Sequence, residues 1–530
     1  MSRWLMVVSL LLASGHLLSL ATPTTASPSG ACRIRRIDDD AHKVVCVCGA
    51  SHCDRVPSVP PLSGSQVAVI TSSRDGVRLH VQMRQWQNKT DTKLTNRVKV
   101  QPAQTHQSVV GFGGAFTDAA GMNIASLPAS AQRLLLASYF GVNGTRYTLG
   151  RVPMASCDFS TRNYSYDDVQ GDFNLTHFRL AEEDTKYKIP YISEALALSG
   201  GRLRLFASPW SAPAWMKTNK DMTGAGSLIG NPGGRYYRTW ARYFLRFFDA
   251  YAQHNVRFWG VTVQNEPSTG FMPNYKWQTM GYTPAQMRDF VKFDLGPALN
   301  ASAHRHLKLM INDDQRFFIV DYARAVLDDA DAARFVSGIG VHWYWDQFSS
   351  PVLLATVHRM YGDYFVLATE ACTGFTGGPV FQRPWLGDWG RAEKYAVDII
   401  QDLNNFVVGW TDWNLALDLR GGPNWVGNFV DSPIIVNATA GEFYKQPMYY
   451  ALAHFSAYIP AGSVRVESRT LAVQLLSVAA VTPQQQRVVV LVNKGDLARD
   501  VAIETADKAT AVLEITMPPK SFATVIWDKD

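Results

Sequence analysis

Glu266 and Glu370 each close a short apolar run that reads as a β-strand. A carboxylate at the end of a buried strand needs a strong reason to be there, because burial penalises its charge. If both strands open onto one barrel mouth, the pair has the chemistry of glycoside cleavage. One carboxyl protonates the leaving oxygen while the other attacks the anomeric carbon or activates water. A separation of about 5 to 5.5 Å gives retention and about 6.5 to 9.5 Å gives inversion. The competing reading is two structural ion pairs to arginines such as Arg151.

The other strand ends carry polar and aromatic residues. Arg151 and Asp158 follow one, and Ser208, Pro209 and Trp210 another. Gln264 and Asn265 precede Glu266, and later ends bring Asp313 and Asp314, then His342, Trp343 and Tyr344, then Asp412, Trp413 and Asn414. A sugar presents a C–H face to aromatic rings and hydroxyls to carboxylates and amides. Trp210, Trp343, Tyr344 and Trp413, with Asp158 and Asn428, therefore read as a sugar-pocket lining. Rival motifs (H-E-x-x-H, G-x-S-x-G, a Walker loop) are absent. Gly111-Phe-Gly-Gly114 starts like a dinucleotide turn, but Phe116 replaces the last glycine, so it reads as a tight turn after the first strand. His342 has no clustered His, Cys or Asp neighbours in sequence and reads as a hydrogen-bonding pocket residue, so no metal or cofactor is expected.

These residues must be positioned by a scaffold. From about 107 to 413, short β-rich runs alternate with amphipathic stretches, the rhythm of βα units. Eight strands are expected, at 109–111, 147–152, 203–207, 258–263, 307–311, 339–342, 365–368 and 407–411. Eight parallel strands close most economically into an α/β TIM barrel, whose active groups stand at the carboxyl ends of the strands. A doubly wound sheet is the alternative. Helices are expected at 129–140, stopped by Gly141; after the cap formed by Thr283, Pro284 and Gln286; and at about 235–254. The flanks at 67–100 and 464–527 alternate without helical period and suggest one β-sandwich built from both chain ends, with 57–65 as linker.

The composition is that of a folded protein. Of 530 residues, 47% are hydrophobic and 18% charged, which excludes a peptide hormone or a disordered chain. A net charge of +6 is spread without a basic run, so nucleic acid is not an expected partner. The apolar stretch 4–12 after Arg3, then Thr/Pro/Ser-rich sequence, reads as a signal peptide over 1–26, and no later stretch is long enough to span a bilayer. Four cysteines, Cys32, Cys46, Cys48 and Cys53, crowd together as a stapled module would have them. A Cys46 to Cys48 bridge would be strained, leaving Cys32 to Cys46 with Cys48 to Cys53, or the crossed pairing. Cys157 and Cys372 should be free and buried, and Asn88, Asn143, Asn163, Asn174, Asn300 and Asn437 are glycosylation acceptors.

Taken together, Arg151-Val-Pro-Met-Ala-Ser-Cys-Asp158, LFASPWSAPAW ending at Trp215, Asn265-Glu-Pro-Ser268, Val341-His-Trp-Tyr344, Thr369-Glu-Ala-Cys372, and Gly409-Trp-Thr-Asp-Trp-Asn414 followed by Gly421-Gly-Pro-Asn-Trp425 resemble glycoside hydrolase family 30. The likeness runs from about Cys32 to the C-terminus, and within the family it is to the β-glucosidases that cleave glucosylceramide. It implies a retaining enzyme with Glu266 as general acid/base and Glu370 as the nucleophile that forms a glucosyl ester. It also implies glucose contacts from Asp158, Trp210, Asn265, Trp413 and Asn428, with Tyr275, His342 and Tyr344 near the carboxylates. Arg151 or His342 should hold Glu370 ionised, while Glu266 starts protonated with a raised pKa. The implied architecture is a small disulfide-bearing antiparallel β domain (27–59 with 414–445), a β-sandwich (60–106 with 463–530) and the barrel (107–413 with 446–462). The implied setting is the lysosome, reached by the secretory pathway, with secretion as the alternative. Implied partners are glucosylceramide in membranes, an anionic lipid surface, a saposin-type activator and a lysosomal trafficking receptor. Loop 374–383 departs from the family pattern. Cleavage of another β-glycoside, such as xylan or β-1,6-glucan, and non-catalytic glycolipid binding are the competing functions.

Overall fold

Eight short runs become parallel strands: β1 (Gly111–Ala115), β2 (Leu149–Met154), β3 (Arg204–Pro209), β4 (Gly260–Thr262), β5 (Lys308–Gln315), β6 (Gly338–His342), β7 (Phe365–Glu370) and β8 (Val407–Asn414). In this computed structural model, which describes residues 30–89, 94–375 and 383–529, they close into a TIM barrel. The expected leader and most of loop 374–383 lie outside the described residues. Leu149, Phe206, Met310, Leu367 and Val408 form one apolar cluster inside the barrel. Strand side chains alternate faces, so two residues further along β2 and β3 the same side is taken by buried Arg151 and Ser208. The apolar floor therefore passes directly into a polar layer.

The strands differ from expectation at their carboxyl ends. β5, β7 and β8 run on through Gln315, Glu370 and Asn414, where the apolar pattern has already stopped. The polar residues there are buried because they pair with one another inside the mouth, so polarity did not mark the strand's end. Gly111 to Gly114 are not a turn after the first strand; they are the first strand. A Cβ at Gly111 would meet Thr148 Oγ1 at 2.0 Å, and one at Gly113 would meet the Leu149 carbonyl at 2.0 Å, so glycine is required by close strand approach.

The helices form where their signals stand. Ala129–Phe140 ends at Gly141. Pro284–Phe290 opens with a capping box between Thr283 and Gln286. Arg235–Gln253 buries Trp240, Phe244, Phe247, Phe248 and Tyr251 on one face. Among the described residues no helix is long and apolar enough to cross a membrane.

Outside the barrel, a sheet interleaves both chain ends: His80–Gln85, Gln66–Ser73, Ser521–Asp528, Gln486–Asn493, Leu475–Val481, Val464–Leu471, Arg97–Ser108, Arg499–Thr505, Ala511–Met517 and Gln87–Asn88, in that order. It forms the β-sandwich, around its own apolar core containing Val69, Val100, Val489 and Trp527. The N-terminal sheet pairs Ile34–Ile37 and Asp40–Cys48 antiparallel, then Glu442–Lys445 and Ile434–Asn437, with the two-residue strand Leu417–Asp418 added in parallel. Cys32 bridges Cys46 and Cys48 bridges Cys53, while Cys157 and Cys372 are free and buried.

One buried ion group braces the loop that follows β2. Lys188 lies between Asp118 at 3.2 Å and Asp184 at 2.8 Å. Asp118 in turn accepts hydrogen bonds from Ser160 at 2.6 Å and Tyr164 at 2.9 Å, fixing the segment that carries Asp158. Replacing Lys188 with Met is expected to leave two buried carboxylates unpaired, at a cost of about 3–5 kcal/mol. Urea denaturation followed by tryptophan fluorescence tests this, and an unchanged midpoint would refute it.

Candidate active site

The carboxyl ends of seven barrel strands converge on a cavity of about 480 Å³. It is lined by Asp158, Trp210, Glu266, Tyr275, Tyr344, Glu370, Trp413 and Asn428 from the sequence-expected set. Arg151, Asn265 and His342, from the same set, are buried behind that lining.

Arg151 organises the floor. One guanidinium nitrogen pairs with Glu370 Oε2, and the other donates to Asn265 Oδ1 at 2.9 Å and Asp313 Oδ2 at 2.8 Å. Nε donates to Ser208 Oγ at 3.1 Å. The guanidinium also lies 4.9 Å from the Trp210 ring and 5.5 Å from the Trp413 ring, which stack on each other at 5.2 Å. Both indoles are nearly fully buried, and one face of each is taken by the other.

Glu370 accepts from Arg151 on Oε2 and from the Tyr344 hydroxyl on Oε1 at 2.7 Å. Burial raises its carboxyl above the ordinary glutamate value, while Arg151 and His342 pull the other way. Both oxygens are thus furnished with donors, the environment of a carboxylate rather than an acid.

Glu266 is held differently. Its backbone is left-handed at φ 40°. Asn312 and Asp313, at φ 64° and 53°, share that region, at a register shift between β5 and β6. The Glu266 N–H donates to the Asp313 carbonyl at 2.9 Å, so three uncommon backbone conformations meet at one point. Oε1 accepts from Gln315 Nε2 at 2.7 Å and lies 3.1 Å from His342 Nδ1, and Oε2 accepts from Tyr275 at 3.2 Å. His342 Nε2 is 3.2 Å from Asp313 Oδ1. Burial works against charge on His342, but Glu370, Asp313 and Glu266 prevail and raise it to about 10, so it is an imidazolium donating from both nitrogens. Asp313 is held well below the ordinary range: burial opposes this, and Arg151 and His342 overcome it.

Asp158 stands across the cavity. Asn428 donates to it at 2.9 Å and Asn424 at 3.4 Å. Burial raises its carboxyl to about 7 despite those amides. Asp314, which accepts the Ser268 N–H at 2.9 Å, is raised to about 7 by burial and by nearby Glu266.

Carboxylate oxygens of Glu266 and Glu370 and a His342 nitrogen all lie within 4.8 Å of one another. Such a cluster has the size of a metal site, but its chemistry is committed otherwise. His342 gives both nitrogens to carboxylates, and Arg151 already supplies the positive charge at Glu370.

Trp343 does not join the sugar-facing wall expected for it. Its indole donates to the Cys372 carbonyl at 3.0 Å and packs between Tyr395 and Trp410. Gln315 and Asn424 were not singled out in the sequence. The only signal for Gln315 was its place at the end of the polar run Asn312-Asp-Asp-Gln315. Among the sequon asparagines, Asn88, Asn143, Asn163, Asn174 and Asn300 are exposed, whereas Asn437 is half-buried with its amide donating to Tyr444 at 2.9 Å.

An eight-stranded parallel barrel with paired carboxylates at its mouth defines the class of a glycosidase. The particular family follows from comparison. Residues 109–459 match the glycosyl hydrolase family 30 TIM-barrel domain and residues 462–525 the family 30 beta sandwich domain, and the chain belongs to that family. It is a glycoside hydrolase. It is similar to lysosomal acid glucosylceramidase of Mus musculus, 46% identical over 488 residues that cover 91% of this chain and 93% of the mouse protein. Similarity to the endo-1,6-beta-D-glucanase BGN16.3 of Trichoderma harzianum is lower, 27% over 79% of this chain and 84% of that protein. Among solved structures, SrfJ from Salmonella typhimurium superposes with a TM-score of 0.80 at 27% identity, covering 88% of this chain and all of its own.

The raised carboxyls have a consequence for stability. Asp158 and Asp314 in the native state keep protons that the unfolded chain releases near pH 3.8. Their contribution is complete below that value and is lost as pH rises through about 7. His342 acts in the same sense at higher pH, losing its contribution from 6.5 towards about 10. The melting temperature is therefore expected to fall by about 5 °C or more between pH 5 and 8. A melting temperature that is flat or rises with pH over this range would overturn the assignment.

Proposed function

We propose that the protein is a retaining β-glucosidase that hydrolyses glucosylceramide to glucose and ceramide. The observation that carries the mechanism is the approach of an oxygen of Glu266 and one of Glu370 to within 4.8 Å. So close an approach favours direct attack by one carboxylate over the wider spacing that inversion uses.

Glu370 is the nucleophile. Arg151 holds Oε2 from beneath, and Oε1, carrying only the neutral Tyr344 hydroxyl, is the oxygen left to attack the anomeric carbon. Glu266 is the general acid. Two donors occupy its Oε1, so the transferable proton belongs on Oε2, beside Tyr275. That proton passes to the leaving oxygen as the glucosyl ester forms. Glu266 then takes a proton from the water that hydrolyses the ester. Asp158, with Asn428 beside it, accepts sugar hydroxyls on the far wall.

The lipid aglycone is supported by similarity to the mouse glucosylceramidase and by the surroundings of the mouth. Phe271, Met272, Phe317, Trp345 and Phe348 follow β4, β5 and β6 and are exposed, Phe348 by 72%. Exposed apolar side chains clustered at one end suit a substrate drawn from a bilayer. The same setting makes an acidic lysosomal compartment, an anionic lipid surface, a saposin-type activator and a trafficking receptor part of this reading.

Incubation with an activated 2-deoxy-2-fluoro-β-glucoside is expected to add one sugar to the peptide containing Glu370. Glu370→Gln is expected to lower turnover by at least about 10⁴-fold. Absence of the adduct on active protein would refute the retaining mechanism, and cleavage of β-1,6-glucan but not glucosylceramide in vesicles would refute the substrate.

A further inference from the structure

On the side wall of the barrel, the helix Arg235–Gln253 turns its aromatic face inward and a line of arginines outward. Arg235, Arg238, Arg242 and Arg246 are all exposed, at spacings of three, four and four. They form a single ladder about 16 Å long.

This placement works against the helix. Arg235 and Arg238 stand in its first turn, where the macrodipole disfavours cations, and no acidic residue is there to offset them. Arg238 with Arg242, and Arg242 with Arg246, are like-charged neighbours one turn apart. Asp249, the helix's one acidic residue, pairs with His304 at 2.8 Å instead. No carboxylate among the described residues forms an ion pair with any of the four.

Local packing uses only part of each guanidinium. Arg235 lies over the Phe173 ring at 3.4 Å, Arg238 donates to the Gly233 carbonyl, Arg242 to the Phe173 carbonyl at 2.6 Å and Arg246 to the Leu175 carbonyl at 3.3 Å. These carbonyls orient the side chains without neutralising them. Beside the upper three rungs is a groove of about 460 Å³, with Phe293 54% exposed at its edge. Asp294, the carboxylate in the groove, accepts the Gly233 N–H at 2.7 Å and feels the charge of Arg238 without forming an ion pair with it.

We propose that this ladder is a docking surface for an acidic protein helix, whose carboxylates at i, i+3, i+7 and i+11 meet the four arginines while an apolar residue covers Phe293. Charge complementarity selects the sign of the partner, and arginine with an exposed aromatic is the composition of interface centres. The ladder's direction selects the class. The helix follows β3, so it starts at the mouth end of the barrel and runs down the side wall towards β4. A bilayer facing the mouth would reach only its first rungs, whereas a rod lying alongside reaches all four.

The test uses the full glycosylated chain and a labelled 20-residue alanine-rich helical peptide with glutamates at that spacing, beside a scrambled peptide of equal composition. Fluorescence anisotropy at neutral pH and low salt is expected to give at least tenfold tighter binding for the patterned peptide. Arg235→Glu with Arg238→Glu should abolish that preference while melting temperature does not fall and glucoside turnover stays unchanged. The milder pair Arg238→Gln with Arg242→Gln, expected to weaken binding severalfold, serves if charge reversal impairs folding. Equal binding of the two peptides would overturn the proposal. So would charge reversal that weakens adsorption to phosphatidylserine vesicles but leaves peptide affinity intact, since the face would then meet lipid. Binding seen only in Asn174→Gln would also overturn it, assigning the groove to the glycan at its edge.

Discussion

The buried guanidinium of Arg151 is the interaction on which the geometry of the site rests. It issues from β2 and holds Ser208 on β3, Asn265 just after β4, Asp313 on β5 and Glu370 on β7. A cation buried without partners would cost far more than the fold's net stability, so carboxylates must surround it. Those carboxylates in turn are tolerated in the barrel only because Arg151 and the His342 imidazolium are there. The polar layer is therefore all-or-none, and it fixes the position of Glu370 as a by-product of satisfying its own charges.

Around that centre the two glutamates differ by what touches them. Glu370 faces a permanent cation and a phenol, and Glu266 faces an amide, an imidazolium and a second phenol. Identical side chains acquire different environments through their partners, the kind of asymmetry on which the proposed division between acid and nucleophile relies. The uncommon backbone at Glu266, Asn312 and Asp313 is where the barrel yields locally to bring these partners together.

Much of this was legible in the chain. Eight βα units, the capping box at Thr283 and the glycine stop at Gly141 are local signals, and local structure followed them. Both readings of the glutamates contained part of the answer: Glu370 does pair with Arg151, as a structural ion pair would, and it also faces the cavity beside Glu266. Strand ends were less legible. Periodicity marks a strand by its apolar residues, and in β5, β7 and β8 the last residues are buried polar groups that only their cross-barrel partners make tolerable. Gly111 to Gly114 were misread for a related reason, since what excludes a side chain there is the neighbouring strand.

By itself the sequence determined the barrel, the N-terminal cysteine cluster and the two carboxylates, because these rest on composition, period and residue type along the chain. Tertiary structure alone decided that Gln315 belongs to the site, that Trp343 does not line it, and that Trp210 and Trp413 stack on each other. It also turned four arginines of one helix into a single exposed ladder by burying the opposite face. Partners of this kind lie tens to hundreds of residues apart, Arg151 and Glu370 being separated by 219, and such distances close only when the barrel does.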